Sequence, residues 1–381
     1  MKPAAPRFGM VAGEASSDLI ASLMLAGLKQ RWPGLTALGI GGPKLREQGF
    51  DAYWPSSKLS IFGYVDALLN IRELLSIRKQ LGDLLLKDPP SAFIGIDAPD
   101  FNFGLETRLR KAGIKTIHFV CPSIWAWRPE RIEKIRAAAD HVLCLFPFEP
   151  ALLRKHDIAA TYVGHPLADL IPLRVSQEDA RRDLQLQGGR EALIALLPGS
   201  RKSEIRFIAE PMLAAAALMQ KQRPGLRFVL PVAPGLHELL EPMAARHPGL
   251  HLTLLDGQSH KALTACDVAL VASGTATLEA ALFKRPMVIA YRVSRLNAWR
   301  MRGRNLQPWV GLPNVLANEF LVPELIQEHC TAENLAREGL AWLDDPERSV
   351  RVQARFEQQH QMLRCNTAQA AADAIAQVLN A

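Results

Sequence analysis

Between Asp267 and Arg292 the chain reads as one complete βαβ unit, which restricts the fold to a parallel, helix-covered sheet. Asp-Val-Ala-Leu-Val-Ala leads into Ser273-Gly274-Thr275-Ala276-Thr277, then a short apolar helix, Lys284-Arg285-Pro286 and Met-Val-Ile-Ala-Tyr-Arg. Val268 to Ala272 shows no polar alternation, as expected of a strand buried on both faces. Ser273, Gly274 and Thr275 supply a tight turn and a cap, and Pro286 closes the helix. The N–H groups and positive dipole end around Ser273 to Thr277 offer a place for a phosphate-bearing ligand. Glu279, read as lying in the first helical turn, is placed to accept both hydroxyls of a ribose. The alternative is a purely structural unit with ordinary caps, and the rest of the chain weighs against it.

The same rhythm runs through both halves. Strands are expected at Phe8–Ala12, Thr36–Ile40, Phe93–Asp97, Thr116–Val120, His141–Phe146 and Thr161–Val163. After a stretch holding Pro172, charges and a Gly pair, a second series begins at Leu193–Leu197, Arg227–Leu230 and His251–Leu254. With 381 residues, one ordinary core is exceeded. The expected fold is α/β, two doubly wound Rossmann-like domains facing a cleft, spanning residues 1–170 and 190–349 with a linker at 171–189. In such sheets ligands bind beyond the C-terminal strand ends, where Glu14 to Asp18, Asp97 to Asn102, Pro122 to Arg128 and Gly164 to Asp169 fall.

Composition excludes several classes. Hydrophobic residues make up 49% and charged ones 22%, so the chain is globular. The N-terminus lacks the pattern of a signal peptide, and no apolar run approaches the ~20 residues that span a bilayer. Cys121, Cys144, Cys266, Cys330 and Cys365 are scattered without metal-ligand spacing, which fits buried thiols in a reducing cytosol. The net charge of +7 suits an anionic partner. A dehydrogenase would need G-x-G-x-x-G at a strand–helix turn. The nearest match, Gly39-Ile40-Gly41-Gly42-Pro43-Lys44, lacks the third glycine.

Leu197-Pro198-Gly199-Ser200-Arg201 ends the first strand of the second half and opens a helix. Gly199 lets backbone approach a ligand, Ser200 adjoins it, and the Arg201 fork suits a diphosphate. Direct displacement at a sugar carbon needs a base and a stabilised leaving group. Arg201 and the helix start at Thr275 to Thr277 serve the leaving group, with Arg292 as an auxiliary. Asp97, at a strand end, is the preferred base, with Asp100 or His118 as alternatives. His165 in Gly-His-Pro reads as a structural loop residue. Trp125 and Trp127, two apart, are placed to line a groove for acyl chains, and Asn314 to hydrogen-bond a sugar or nucleotide.

Ala12-Gly13-Glu14-Ala15-Ser16, Gly95 to Asn102, Pro122 to Arg128, Pro147-Phe148-Glu149, Val163 to Pro166, Leu197 to Arg201, Ala272 to Glu279 and Leu312-Pro313-Asn314 occur in that order. Together they resemble the lipid-A-disaccharide synthase family over nearly the whole chain. The resemblance implies the two-domain GT-B architecture, with C-terminal helices (about 350–381) crossing back to the first domain. It implies an inverting transfer that joins UDP-2,3-diacylglucosamine to 2,3-diacylglucosamine 1-phosphate and releases UDP, with no cofactor and no metal ion. It adds Glu14 and Ser16 as acceptor contacts, and it implies work on the cytoplasmic, inner face of the inner membrane. Nucleic acid is not an expected partner, and an oligomer is compatible with the sequence. Two positions depart from the family: Ser17 stands where Gly is usual, narrowing acceptor approach, and Cys121 stands where Ser is usual. Two stretches are candidates for docking on an anionic membrane surface. One is Arg295 to Arg304, with four arginines among Leu296, Trp299 and Met301, and the other is the apolar stripe of Leu59 to Leu81.

Overall fold

The computed structural model describes residues 5–59, 64–126, 128–186, 191–294, 298 and 306–380, with backbone alone at 64–70. The chain forms two compact units, one of Met1–Asp169 with Leu363–Ala381, the other of Leu170–Met362. Residues 171–189 were expected as a linker. They instead contain the helix Gln177–Asp183, tied into the second unit. There Gln177 Nε2 donates to the Ala265 and Cys266 carbonyls, and Arg181 pairs with Asp267 at 2.7 Å.

The first unit holds a sheet of β1 (Arg7–Ala12), β2 (Thr36–Gly41), β3 (Asp51–Pro55), β4 (Ala92–Ile96), β5 (Thr116–Phe119), β6 (His141–Cys144) and β7 (Ala160–Tyr162). Its order is β3-β2-β1-β4-β5-β6-β7, and the ladders are parallel. Phe8, Met10, Ile94, Ile96 and Phe119 face a core closed by Ala371, Ala372 and Ile375 of the C-terminal helix Thr367–Asn380. A Cβ on Gly27 would lie 2.3 Å from the Ala368 carbonyl oxygen, so that glycine lets the helix Ala15–Arg31 seat closely on the C-terminal one. The opposite face buries Val11, Leu38 and Phe93 under Ile77, Leu81 and Leu85 of the helix Tyr64–Lys87. Those three side chains recur every fourth residue and contribute about 1.5–3 kcal/mol each.

The second unit holds β8 (Leu193–Leu197), β9 (Arg227–Val232), β10 (Leu252–Asp256), β11 (Val268–Ala272), β12 (Met287–Tyr291) and β13 (Glu324–Ile326). Its order is β10-β9-β8-β11-β12-β13, again parallel. Every residue of β8 and β11 is buried, as their unbroken apolar runs require. The strand order reverses between β1 and β4 in one sheet and between β8 and β11 in the other. Those two switch points are where a doubly wound sheet leaves a crevice at its carboxyl edge.

Candidate active site

At the switch point of the first unit, Gly13–Ser16 follow β1 and Asp97–Asp100 follow β4. Glu14 and Ser16 are exposed at the start of the helix Ala15–Arg31. Ser17 does not project toward a ligand. Its hydroxyl accepts from the Glu14 N–H and donates to the Glu14 carbonyl, both at 2.9 Å, and the residue is 1% exposed. The expected narrowing of this loop is therefore absent: the extra side chain locks the helix start from within. Asp18 explains the glycine loop after β2. Its carboxylate accepts from the N–H groups of Gly42 at 2.7 Å, Lys44 at 3.0 Å and Leu45 at 3.3 Å. The protein's own anion occupies the helix start that a dinucleotide phosphate would need.

Asp97 is half-buried, with φ 53°, and Ala98 has φ 43°. Two successive non-glycine residues in the left-handed region are uncommon, and each costs about 1 kcal/mol or more. Ala98 caps the helix Pro99–Lys111, and the Asp100 carboxylate accepts from Arg131 at 3.0 and 3.1 Å. His118, an alternative base, lies inside β5 with no exposed surface, its Nδ1 2.8 Å from Glu106 Oε1. A mid-strand residue of a parallel sheet is covered on both sides, so this imidazole is out of reach of substrate.

Trp125 packs edge-on against Phe146 and Phe148, and its Nε1–H donates to Glu149 Oε1 at 3.1 Å. The indole is anchored in an aromatic cluster and only partly exposed, so its polar edge is unavailable to a ligand. Trp127 lies outside the described residues. Glu149 also accepts from the Phe146 N–H, and burial pushes its carboxyl up to about 8. The structure gathers two cysteines that the sequence left apart. Cys121 Sγ, Cys144 Sγ and a Glu149 oxygen lie within 4.8 Å of one another, all buried. The bond with Cys144 and then burial hold the Cys121 thiol far above its usual range, which suits a packed thiol and not a nucleophile.

In the second unit, Gly199–Arg201 follow β8 and Ser273–Thr277 follow β11, so both nucleotide-type turns meet at one switch point. Gly199 has φ 117°, and a Cβ there would come within 2.4 Å of Glu204 Oε2. That oxygen accepts from the N–H groups of Ser200 at 2.9 Å and Arg201 at 3.2 Å, filling the start of the helix Lys202–Gln222. Ser200 is exposed, and the Arg201 side chain is 60% exposed. The second turn is open by contrast. Gly274 has φ 146° and ψ −160°, a region that only glycine adopts readily, and a Cβ there would have no heavy atom within 4 Å. The N-cap of the helix Thr275–Leu282 is Gly274, which has no side chain to cap it. Thr275 is exposed and Ala276 half-buried, while Thr277 is fully buried with its hydroxyl donating to the Gly274 carbonyl at 2.8 Å. Thr277 thus closes the turn and does not face a ligand.

Glu279 is the fifth residue of that helix, in its second turn and not its first, with a carboxylate oxygen 3.7 Å from His260 Nε2. Asn314, expected to touch sugar or nucleotide, is fully buried with its amide in use at both ends. Nδ2 donates to the Val322 carbonyl and to Glu324, and Oδ1 accepts from the Leu321 and Val322 N–H groups, all at 2.8–3.0 Å. Arg292 lines a cavity of about 430 Å³ with Arg206, Phe207, Glu210 and Thr331. The Arg295–Arg304 stretch lies outside the described residues apart from Ala298. Of the Leu59–Leu81 stripe, Ile71 and Leu75 are each 47% exposed, whereas Ile77 and Leu81 are core. No helix among the described residues is long and apolar enough to cross a membrane.

The fold is shared with solved proteins. A UDP-GlcNAc 2-epimerase from Neisseria meningitidis, solved with UDP-GlcNAc bound, superposes with a TM-score of 0.64 at 13% identity, covering 98% of this chain and 99% of that one. The glycotransferase of kitacinnamycin gives 0.64 at 17%, covering 99% and 100%. Two parallel doubly wound units with polar turns at each switch point are the GT-B fold that these solved proteins share. A family model described as lipid-A-disaccharide synthetase matches residues 9–375. The lipid-A-disaccharide synthase of Verminephrobacter eiseniae is 53% identical over 379 residues, 98% of this chain and 97% of its own. That of Paraburkholderia xenovorans is 53% identical over 381 residues, 100% and 98%. The chain belongs to the lipid-A-disaccharide synthase family and is a hexosyltransferase of lipid A synthesis.

Proposed function

We propose that the protein transfers a diacylglucosaminyl group from UDP-2,3-diacylglucosamine to 2,3-diacylglucosamine 1-phosphate, inverting the anomeric centre without a metal ion. The observation that carries this reading is the paired placement of the motifs: a carboxylate turn at one switch point and two nucleotide-type turns at the other. The acceptor hydroxyl attacks C1 of the donor sugar while Asp97 takes its proton. The bond between C1 and the diphosphate oxygen breaks, and UDP leaves with the electron pair. Arg201 and the uncapped helix start at Thr275 and Ala276 stabilise the charge that develops on the diphosphate. Ser200, Ser273 and Gly274 border that charge, and Glu279 holds the ribose. Glu14 and Ser16 orient the acceptor. Direct displacement needs no enzyme nucleophile, in keeping with the buried Cys121. The acyl chains place the reaction on an anionic membrane surface, at the inner face of the inner membrane.

The test is an assay of UDP release from UDP-2,3-diacylglucosamine with excess chelator present, with and without the acylated acceptor. Release that requires the acceptor and ignores the chelator is expected. Conversion of the donor without acceptor would assign an epimerase instead, and binding of both lipids without turnover a carrier.

A further inference from the structure

Beneath the Asp97 turn lies a buried polar cluster that takes no part in the chemistry above. Asn102 and Glu106 stand four residues apart on one face of the helix Pro99–Lys111. Both press on Gly95 of β4, where a Cβ would come 2.0 Å from Glu106 Oε1 and 3.0 Å from Asn102. His118 is the register partner of Gly95 on β5, and its Nδ1 meets Glu106 Oε1 at 2.8 Å. Its ring packs on Phe103, centroids 4.8 Å apart. Asn102, Glu106 and His118 have no exposed surface. Burying three such groups is costly unless hydrogen bonds replace those lost to water.

What they reach is the backbone of Asp97. The Asn102 Nδ2 group donates to the Asp97 carbonyl at 2.7 Å, and the Asn102 N–H to the Ala98 carbonyl at 3.0 Å. On the other side, the Asp97 N–H donates to the Phe119 carbonyl at 2.8 Å, one residue beyond His118. Left-handed Asp97 and Ala98 persist only if their surroundings over-determine them. The helix face supplies that constraint, and the Glu106–His118 bond pins the helix to β5. Burial holds the Glu106 carboxyl above its ordinary range, against the pull of His118.

We propose that Asn102, Glu106 and His118 form a positioning device that fixes the strained Asp97–Ala98 turn, and thereby the aim of the Asp97 carboxylate. This rests on the reading of Asp97 as the base. The device touches no substrate and acts only through Asp97. Its test is a double-mutant cycle on the full chain, measuring kcat, the KM of both substrates and UDP affinity.

Glu106→Ala is expected to lower kcat about 10- to 100-fold with UDP affinity within twofold of wild type. Glu106→Gln offers His118 Nδ1 an amide oxygen or an NH2 group, one for either tautomer, and should recover kcat to within a few fold. In an Asp97→Asn background, Glu106→Ala should cost almost nothing further. If Glu106→Ala does not fold, Asn102→Ser carries the same cycle as a smaller lesion. Full kcat in the folded Glu106 or Asn102 variant, no rescue by Gln, or losses that multiply with Asp97→Asn would overturn the proposal. Near-normal kcat of Asp97→Asn alone would instead remove the base assignment on which it rests, a separate outcome.

Discussion

His165 is 6% exposed behind the Phe146 ring, and its Nδ1 accepts from the Leu167 N–H at 3.2 Å. Burial lowers its pKa from 6.5 to about 4, so the folded protein keeps the imidazole neutral. The unfolded chain binds that proton first as pH falls, so stability is full above about 6.5 and is lost as pH drops toward 4. A shift of this size corresponds to about 3 kcal/mol. His165→Asn retains an acceptor for Leu167 but cannot titrate. In urea melts, wild type should lose stability relative to this variant between pH 6.5 and 4. A wild-type-to-variant difference that stays constant over that window would contradict the burial argument. At this scale, sequence alone placed Asp97, Arg201 and Ser273 at strand ends and Glu279 on the helix that follows, but could not say which hydroxyls and amides the fold uses up. Thr277 and Ser17 carry the same hydroxyls as Thr275 and Ser200 and differ from them in burial, which depends on distant chain.

The loop from Val310 to Glu324 is organised by Asn314. Glu324 also accepts from the Val310 and Gly311 N–H groups at 2.8 and 2.9 Å, so one amide and one carboxylate tie both ends of the helix Leu312–Ala317 to β13. Asn314→Ala would take the side-chain partner from the Leu321 and Val322 N–H groups and from the Val322 carbonyl at once, while Glu324 Oε1 keeps the Gly311 N–H. A loss of about 2–4 kcal/mol is expected, read as a lowered urea midpoint. A drop in UDP affinity with an unchanged midpoint would restore a direct ligand role to Asn314. Elements legible in the sequence were those with unbroken apolar runs, such as β8 and β11. The strands that escaped notice, β3 and β13, are sheet edges. β3 alternates exposed and half-buried residues, and β13 has only three residues, so neither carries a core signal.

At the scale of the molecule, a net charge of +7 and the two acylated substrates proposed above lead to the prediction of a surface that meets anionic lipid. Sedimentation with anionic vesicles should weaken with salt and with Arg300, Arg302 and Arg304 replaced by Ser, each arginine contributing about 1 kcal/mol. Binding that ignores both changes would move the docking surface toward exposed Ile71 and Leu75. The two-unit plan followed from the βα rhythm, since parallel strands demand crossover helices. The return to the first unit comes at Leu363, the last residue of the helix Pro346–Leu363, and not near residue 350, because that helix runs unbroken up to it. The central claim is a division of labour, with proton removal at the β1/β4 switch point and UDP binding at β8/β11. It is tested most directly by turnover and UDP affinity, measured side by side on Asp97→Asn and Glu279→Ala. Asp97→Asn should lose about 10²- to 10⁴-fold in turnover with UDP affinity intact. Glu279→Ala should bind UDP more weakly and keep most of its turnover at saturating donor. Near-normal turnover in Asp97→Asn, or unchanged UDP affinity in Glu279→Ala, would contradict the account.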